Sequence, residues 1–263
     1  MRSLLSIIAS LNIKKRMRIK SLPHKLGHLY NLALARVFPL HHKERDEIAY
    51  WKSRLAAEGQ LSNERYLYSY TSTFDIEPSF YAGKRILDIG CGPRGSLEWA
   101  DMAAERVGLD TLAPKYLKMG ADRHKMTYVA ASSDAIPFPA EHFDVVCAFN
   151  SLDHVAHLEK TIAEIKRVVR LGGLFLLIVE VNHRPTASEP IDLPWSISQA
   201  FMDAFSLLNE KRYEIGKNHD IYRQIYIDDR FDDANRADRP GILVAKFKKK
   251  GTPTSTDMPN TLQ

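Results

Sequence analysis

The run Arg85-Ile-Leu-Asp88-Ile-Gly90-Cys91-Gly92-Pro-Arg-Gly95 limits what this chain can fold into more than any other segment. Its apolar residues Ile86, Leu87 and Ile89 predict a strand buried on both faces, as in a parallel sheet. Glycines then recur at positions 90, 92 and 95. Glycine tolerates positive φ and carries no Cβ, so the turn can be tight and a ligand can approach its backbone. Ser96 to Ala104 predicts a helix. A strand, a glycine turn and a helix N-terminus together make a site for a nucleotide-like cofactor.

From residue 84 the pattern is an alternation of strands and helices. Strands are predicted at 84–90, 105–109, 126–131, 143–149, 173–181, 211–215 and 242–247, and helices at 94–104, 113–120, 157–170 and 196–208. Such alternation implies an α/β domain with a parallel sheet, whose ligands sit at the carboxyl ends of the strands. Ahead of it, helices are expected at 22–40, ending near Pro39, and at 44–57. The alternating Tyr66, Tyr68 and Tyr70 fit either a strand or a helix opened at Asn63. The expected organisation is a basic helical arm and cap over 1–80, the α/β domain over 81–250, and a disordered polar tail over 251–263.

Charge is unevenly placed along the 263 residues. Residues 1–50 hold ten Lys/Arg and three Asp/Glu, a surplus of +7, whereas the rest holds 27 and 29, or −2. The body therefore offers no basic stripe for phosphates, and no nucleic-acid partner is expected. In the arm, apolar Leu4–Leu11 precedes Lys14, Lys15, Arg16, Arg18 and Lys20. A signal peptide would place its positive cluster first. The arm reads as a solvated basic helix, or as an interfacial helix making peripheral contact with an anionic membrane through residues 1–20. Two cysteines, Cys91 and Cys147, cannot form a disulfide framework and are expected to be reduced, which points to a cytoplasmic protein, with the inner face of a membrane as the peripheral alternative.

A glycine turn alone does not choose between cofactors. Asp110, about twenty residues beyond the turn, could bind ribose in either a dinucleotide or another nucleoside, or cap the helix that follows. The wider pattern is more specific. Arg85–Gly92, Val107–Asp110, Asp134-Ala-Ile-Pro-Phe-Pro, Phe143-Asp-Val-Val and Glu164-Ile-Lys-Arg-Val-Val-Arg-Leu-Gly-Gly-Leu-Phe-Leu together resemble the class I S-adenosylmethionine-dependent methyltransferases. The likeness is greatest to the small-molecule, ubiquinone/menaquinone-type branch, and it covers roughly residues 80–182. It implies a Rossmann-like, seven-stranded, mostly parallel sheet with helices on both faces, plus an N-terminal helical extension, and S-adenosylmethionine as cofactor.

By the same resemblance, Gly90, Cys91 and Gly92 pack under the methionine part of the cofactor, and Asp88 helps hold its amino group. Asp110 is the ribose-binding acid. Ser132, Ser133 and Asp134 fall in the loop over the adenine, with Ser132 where relatives have an acid. Asn150 sits where the amino-acid moiety is held. Leu152-Asp153-His154 stands where relatives commonly have Leu-His-His, so Asp153 is a departure. His154, Asp153 and His183 are the candidate catalytic residues at the strand ends, His154 as the base for an acceptor or as a residue ordering the pocket. No metal site is expected. His41-His42 lacks a third ligand at convincing spacing, and the pairs Asp228-Asp229 and Asp232-Asp233 lie in polar surroundings. Trp51, Tyr66, Tyr68 and Trp195 are candidates for a pocket wall or for packing.

The function expected is methyl transfer to a small-molecule, sugar or lipid-linked acceptor, with oxygen as the receiving atom ahead of nitrogen or carbon. A cofactor-binding scaffold without transfer is the alternative. A nucleic-acid methyltransferase is disfavoured, because Asn150-Ser-Leu-Asp153 is unlike the Pro-Pro motif that grips an exocyclic amine, and no Pro-Cys nucleophile is present.

Overall fold

The computed structural model describes residues 39–63, 66–186, 189–217, 220–235 and 239–251. The predicted N-terminal features, Leu4–Leu11, the basic cluster 14–20 and the helix 22–40 up to residue 38, lie outside the described residues, as does the tail from 252. The side chains of His41 and His42 lie outside them too. The chain divides into two compact units, Met1–Glu47 and Ile48–Gln263.

Strands β1 (Arg85–Ile89), β2 (Glu105–Leu109), β3 (Thr127–Val129), β4 (Phe143–Phe149), β5 (Val169–Val181), β6 (Phe205–Tyr213) and β7 (Gly241–Lys249) form one sheet. Their order is β3-β2-β1-β4-β5-β7-β6. Pairs from β3 across to β5 are parallel, and β7 runs antiparallel to both β5 and β6. The β1/β4 neighbours mark the reversal of chain order, where a ligand crevice forms beyond the carboxyl ends. Insertion of β7 between β5 and β6 departs from the dinucleotide-binding order.

Both faces are covered. On one, α4 (Leu158–Val168) presents Ile162, Ile165 and Val168 to a cluster with Leu87, Val146, Phe175, Phe205 and Phe247. The apolar positions recur at helical spacing, so one stripe of this helix faces the sheet. On the other face lie Tyr70 of α2 (Tyr66–Tyr70), Phe74, Tyr81, Ile178 and Val244, with Ile221 and Ile225 of α5 (Ile221–Tyr226). α1 (Pro39–Glu58) precedes the sheet and α3 (Ala113–Leu117) follows β2.

Three sequence expectations need correction. Residues 94–104 are a chain of turns, not a helix. Their bonds span three residues: Glu98 N–H to Gly95 O at 2.9 Å, Ala100 N–H to Leu97 O at 3.1 Å and Ala103 N–H to Ala100 O at 3.0 Å. The Gly95 carbonyl also accepts from Asn63 at 2.6 Å, and Met102 O accepts from Gly83 N–H at 2.9 Å. Leu97 and Ala100 are buried by this path, which must straighten again by residue 105. Residues 196–208 split into a short 3-10 turn, Ile197–Phe201, and the start of β6. There Phe201 and Phe205 both reach the aromatic cluster with Phe175 and Phe247, and strand pairing with β7 prevails over helix propensity. Pro39, where an end was expected, is the first described residue of a helix that runs on to Glu58.

Candidate cofactor and acceptor site

The glycine turn is pinned at the carboxyl edge of β1. Gly90 has φ of 72° and Gly92 of 59°, in the left-handed region. A Cβ on Gly90 would collide with the Ser151 side chain, which itself donates to Ile89 O at 2.8 Å. Gly90 N–H bonds to Leu109 O at 2.8 Å, and Gly95 N–H donates to the Tyr128 hydroxyl at 2.9 Å. The Cys91 side chain turns down onto Gly108 of β2, where no Cβ stands in its way. Its backbone, and not its thiol, is therefore the part left at the mouth. Above the turn, the Trp51 ring lies 3.4 Å from where a Gly92 Cβ would be. Arg94 packs over the same ring and bonds both oxygens of Glu58 at 2.8 Å.

The two predicted acids take different places. Asp88, buried between Gly108 and Cys147 of the neighbouring strands, accepts from the Tyr70 hydroxyl at 2.8 Å and from Ser96 Oγ. Burial pushes its carboxyl up to about 7, while the bonds from Ser96 and Tyr70 oppose that rise. Asp110 lies at the end of β2. Its Oδ1 accepts from Leu112 N–H at 2.8 Å and its Oδ2 from Gly92 N–H at 3.3 Å. It thus ties the glycine turn to the segment leading into α3.

The remaining cofactor candidates border the same edge. Ser133 Oγ bonds Thr161 Oγ1 of α4 at 2.9 Å, Ser132 O accepts from Ala135 N–H at 3.1 Å, and Asp134 faces His157 at 3.8 Å. Glu164 and Arg167 of α4 hold the following loop through Ile136 and Phe138. Asn150 adopts φ of 48°, with its N–H on Ile178 O at 2.7 Å.

The three acceptor-side candidates converge beyond β4 and β5. Asp153 lies in the 3-10 turn Leu152–His154 and is only 1% exposed. Its Oδ2 stands 3.7 Å from His154 Nε2 and 3.7 Å from His183 Nε2. Burial pushes its carboxyl up to about 7, Glu189 and Glu180 add to the rise, and His183 opposes it. The half-buried Tyr222 of α5 feels both centres: desolvation pushes its phenol up, and Tyr66, Asp88 and Asp153 add to it.

Of the aromatic wall candidates, Trp51 and Tyr66 border the site, Tyr66 near enough to Arg94 and Asp88 to feel their charge, while Tyr68 and Trp195 pack elsewhere. Tyr66 meets Tyr222 edge-on, Tyr68 meets Tyr226, and Trp195 is buried against Phe231. The Asp pairs bond to neighbouring arginines and amides, with Asp228 on Arg230 at 2.6 Å and Asp233 on Arg212 at 3.0 Å.

A pyrophosphate site needs a helix N-terminus after its glycine turn, and turns replace that helix here. Residues 87–177 match the family model described as a methyltransferase domain. Residues 87–177 belong to the class I S-adenosylmethionine-dependent methyltransferases. This methyltransferase domain is similar to a sterol 4-C-methyltransferase of Caenorhabditis elegans, at 41% identity over 101 residues, 35% of this chain and 29% of the relative. It is similar to the demethylmenaquinone methyltransferase of Thermobifida fusca, at 30% identity over 149 residues, 49% of this chain and 61% of the relative. The chain thus spans less than two thirds of either relative. Its fold resembles that of an S-adenosylmethionine-dependent methyltransferase from Mesorhizobium loti, with a TM-score of 0.51 and 18% identity, covering 68% of this chain and 96% of the other.

Sequence reasoning missed several residues that shape the candidate site. Tyr70 and Ser96 hold Asp88, and no local spacing announces a partner eighteen residues upstream. Glu189 approaches His154 at 3.8 Å. Its signal was the Thr186-x-x-Glu189 spacing of a capping turn, formed here by Glu189 N–H on Thr186 Oγ1 at 2.9 Å.

Proposed function

We propose that this chain transfers a methyl group from S-adenosylmethionine to a small-molecule, sugar or lipid-linked acceptor, with oxygen as the receiving atom. The observation that carries the reading is the turn itself: Gly90 and Gly92 in the left-handed region, bracketed by Asp88 and Asp110, without a phosphate-binding helix end. Bound there, the cofactor supplies an electrophilic methyl group on a sulfonium. The backbone of Gly90, Cys91 and Gly92 would lie against its methionine part. Asp88 and Asn150 would hold the amino-acid end, Asp110 the ribose hydroxyls, and the Ser132–Asp134 loop the adenine. In-line displacement asks little of the protein beyond orientation, worth up to ~7–11 kcal/mol. His154 would take the proton of an acceptor hydroxyl, a step worth ~10²–10⁴-fold, or order the pocket around the acceptor. Asp153 and His183 would position it.

The names of the sterol and demethylmenaquinone relatives support an acceptor of lipid character. The composition of residues 1–20 supports peripheral contact with an anionic membrane. Among the described residues, no helix is long and apolar enough to cross a membrane.

Calorimetric titration tests the cofactor. S-adenosylmethionine or its demethylated product is expected to bind at micromolar strength, about −8 kcal/mol, and NAD to give no heat. NAD binding without S-adenosylmethionine binding overturns the reading. With labelled cofactor and fractionated cell extract, label should enter a small-molecule or lipid fraction. Binding with no transfer would make the chain a scaffold, and label in nucleic acid would move it to another class.

A further inference from the structure

We propose that Asp153, His154 and Glu189 form a binding site for one divalent first-row transition ion, such as Zn2+ or Mn2+, with His183 beside them. One candidate ligand atom from each of the three residues lies within 4.8 Å of the others. The measured approaches are 3.7 Å from Asp153 to His154, 3.7 Å from Asp153 to His183 and 3.8 Å from His154 to Glu189. These are too long for hydrogen bonds, so the groups converge without touching. An ion with bonds of ~2.0–2.2 Å holds tetrahedral ligands about 3.3–3.6 Å apart. The two edges that meet at His154 need to close by only a few tenths of an ångström, and the third, between Asp153 and Glu189, by up to about an ångström.

Asp153 supplies a second, independent observation. It is 1% exposed, and no other described residue donates a hydrogen bond to either carboxylate oxygen, which leaves it only the influence of its own backbone N–H. A buried carboxylate left so is costly, and it is normally paired or bound to metal. His183 Nε2 likewise lacks a partner among the described residues, while its Nδ1 lies 3.1 Å from Arg184 O. Donation from Nδ1 to a carbonyl leaves the Nε2 lone pair outward, the arrangement that orients a metal-ligating imidazole.

The supports are fixed. Asp153 and His154 share the turn after β4, and His183 follows β5. Glu189 is held by Thr186, and Ile191 N–H returns to Asp153 O at 3.4 Å. Imidazole with carboxylates suits Zn2+, Mn2+ or Fe2+, whereas Mg2+ and Ca2+ favour oxygen-only sets. Three protein ligands leave a coordination position for an oxygen. Asp153 follows Ser151, the residue against Gly90, by two positions. With the ion bound at its Nε2, His154 no longer serves as a base, and the ion itself would lower the proton affinity of that oxygen. That the oxygen belongs to the methyl acceptor rests on the proposed function; ion binding does not.

The test strips the full chain with a chelator and titrates it with Zn2+ and, separately, Mn2+, with Mg2+ as comparison. One Zn2+ or Mn2+ per chain is expected, bound at least about tenfold more tightly than Mg2+. His154→Ala and Glu189→Gln, both at partly exposed positions, should each weaken it about tenfold or more without lowering the ion-free melting temperature. No saturable uptake of either ion, or one-ion uptake that both variants retain, overturns the site. S-adenosylmethionine is titrated into the same preparations. Cofactor binding without ion binding removes only the metal site; ion binding without cofactor binding removes only the methyltransferase reading.

Discussion

Two carboxylates at neighbouring strand ends answer to different physics. Asp88 is sealed in the sheet, and its folded pKa of about 7 lies above the usual 3.8. The protonated form therefore favours the fold. That stabilisation is complete below about pH 4 and is lost as pH rises through 7. Asp88→Asn is uncharged throughout, so its melting temperature relative to the parent should climb between pH 4 and 7 and then level off. A flat difference would mean that Asp88 titrates at its ordinary value. Asp110 is the more exposed acid, committed to amide donors on either side. Asp110→Ala should weaken S-adenosylmethionine binding roughly tenfold or more, about 1.5–3 kcal/mol, with the chain still folded. An unchanged affinity in calorimetry would restrict Asp110 to tying the turn. The acids were legible because the strand before each is a short apolar run. The donors on Asp88 were not: Tyr70 comes from a separate helix, and its role depends on tertiary packing.

Elements were read best where local and tertiary demands agree. The predicted strands 105–109 and 143–149 match β2 and β4 residue for residue, since each apolar run is bounded by polar or turn residues. Helix 157–170 shortens to Leu158–Val168, because Val169 begins β5 opposite Phe143. Ser96–Ala104 has ordinary helical composition, yet Gly95 at φ of 69° and the capture of its carbonyl by Asn63 take away the first helical turn. The candidate acceptor cluster was legible in part. Asp153, His154 and His183 follow strand ends, where side chains of a parallel sheet converge. Glu189 arrives on a loop whose return path only the assembled chain defines.

At the scale of the whole molecule, the basic arm and the acidic body are separable in sequence, since every cofactor candidate lies at or beyond Asp88. If residues 1–20 contact a membrane, the full chain should bind anionic liposomes, with high salt weakening the binding without abolishing it. Each basic residue near the surface contributes ~1 kcal/mol of that attraction. Deleting residues 1–20 should release the protein and leave S-adenosylmethionine affinity unchanged. A full chain that ignores such liposomes at low salt would end the membrane reading.

The placement of β7 ties the life history of the chain to its last described strand. β7 pairs with β5 on one side and β6 on the other, so β6, made earlier, meets only a short bridge between Tyr213 and Arg230 until residues 241–249 emerge. A growing polypeptide can assemble β1 to β5 during synthesis, but it carries the open edge of β5 and an unmatched β6 until then. Unpaired edges of this kind recruit other chains. A nascent chain halted at residue 240 should be far more susceptible to protease over 205–213 than one extended past 250, and comparing cleavage of the two arrested products would reveal it. Equal protection would mean that β6 finds cover before β7 exists. In translation, then, the far third of the sheet is a late commitment, and a premature stop in the final strand would yield a sticky fragment instead of a slightly shortened domain.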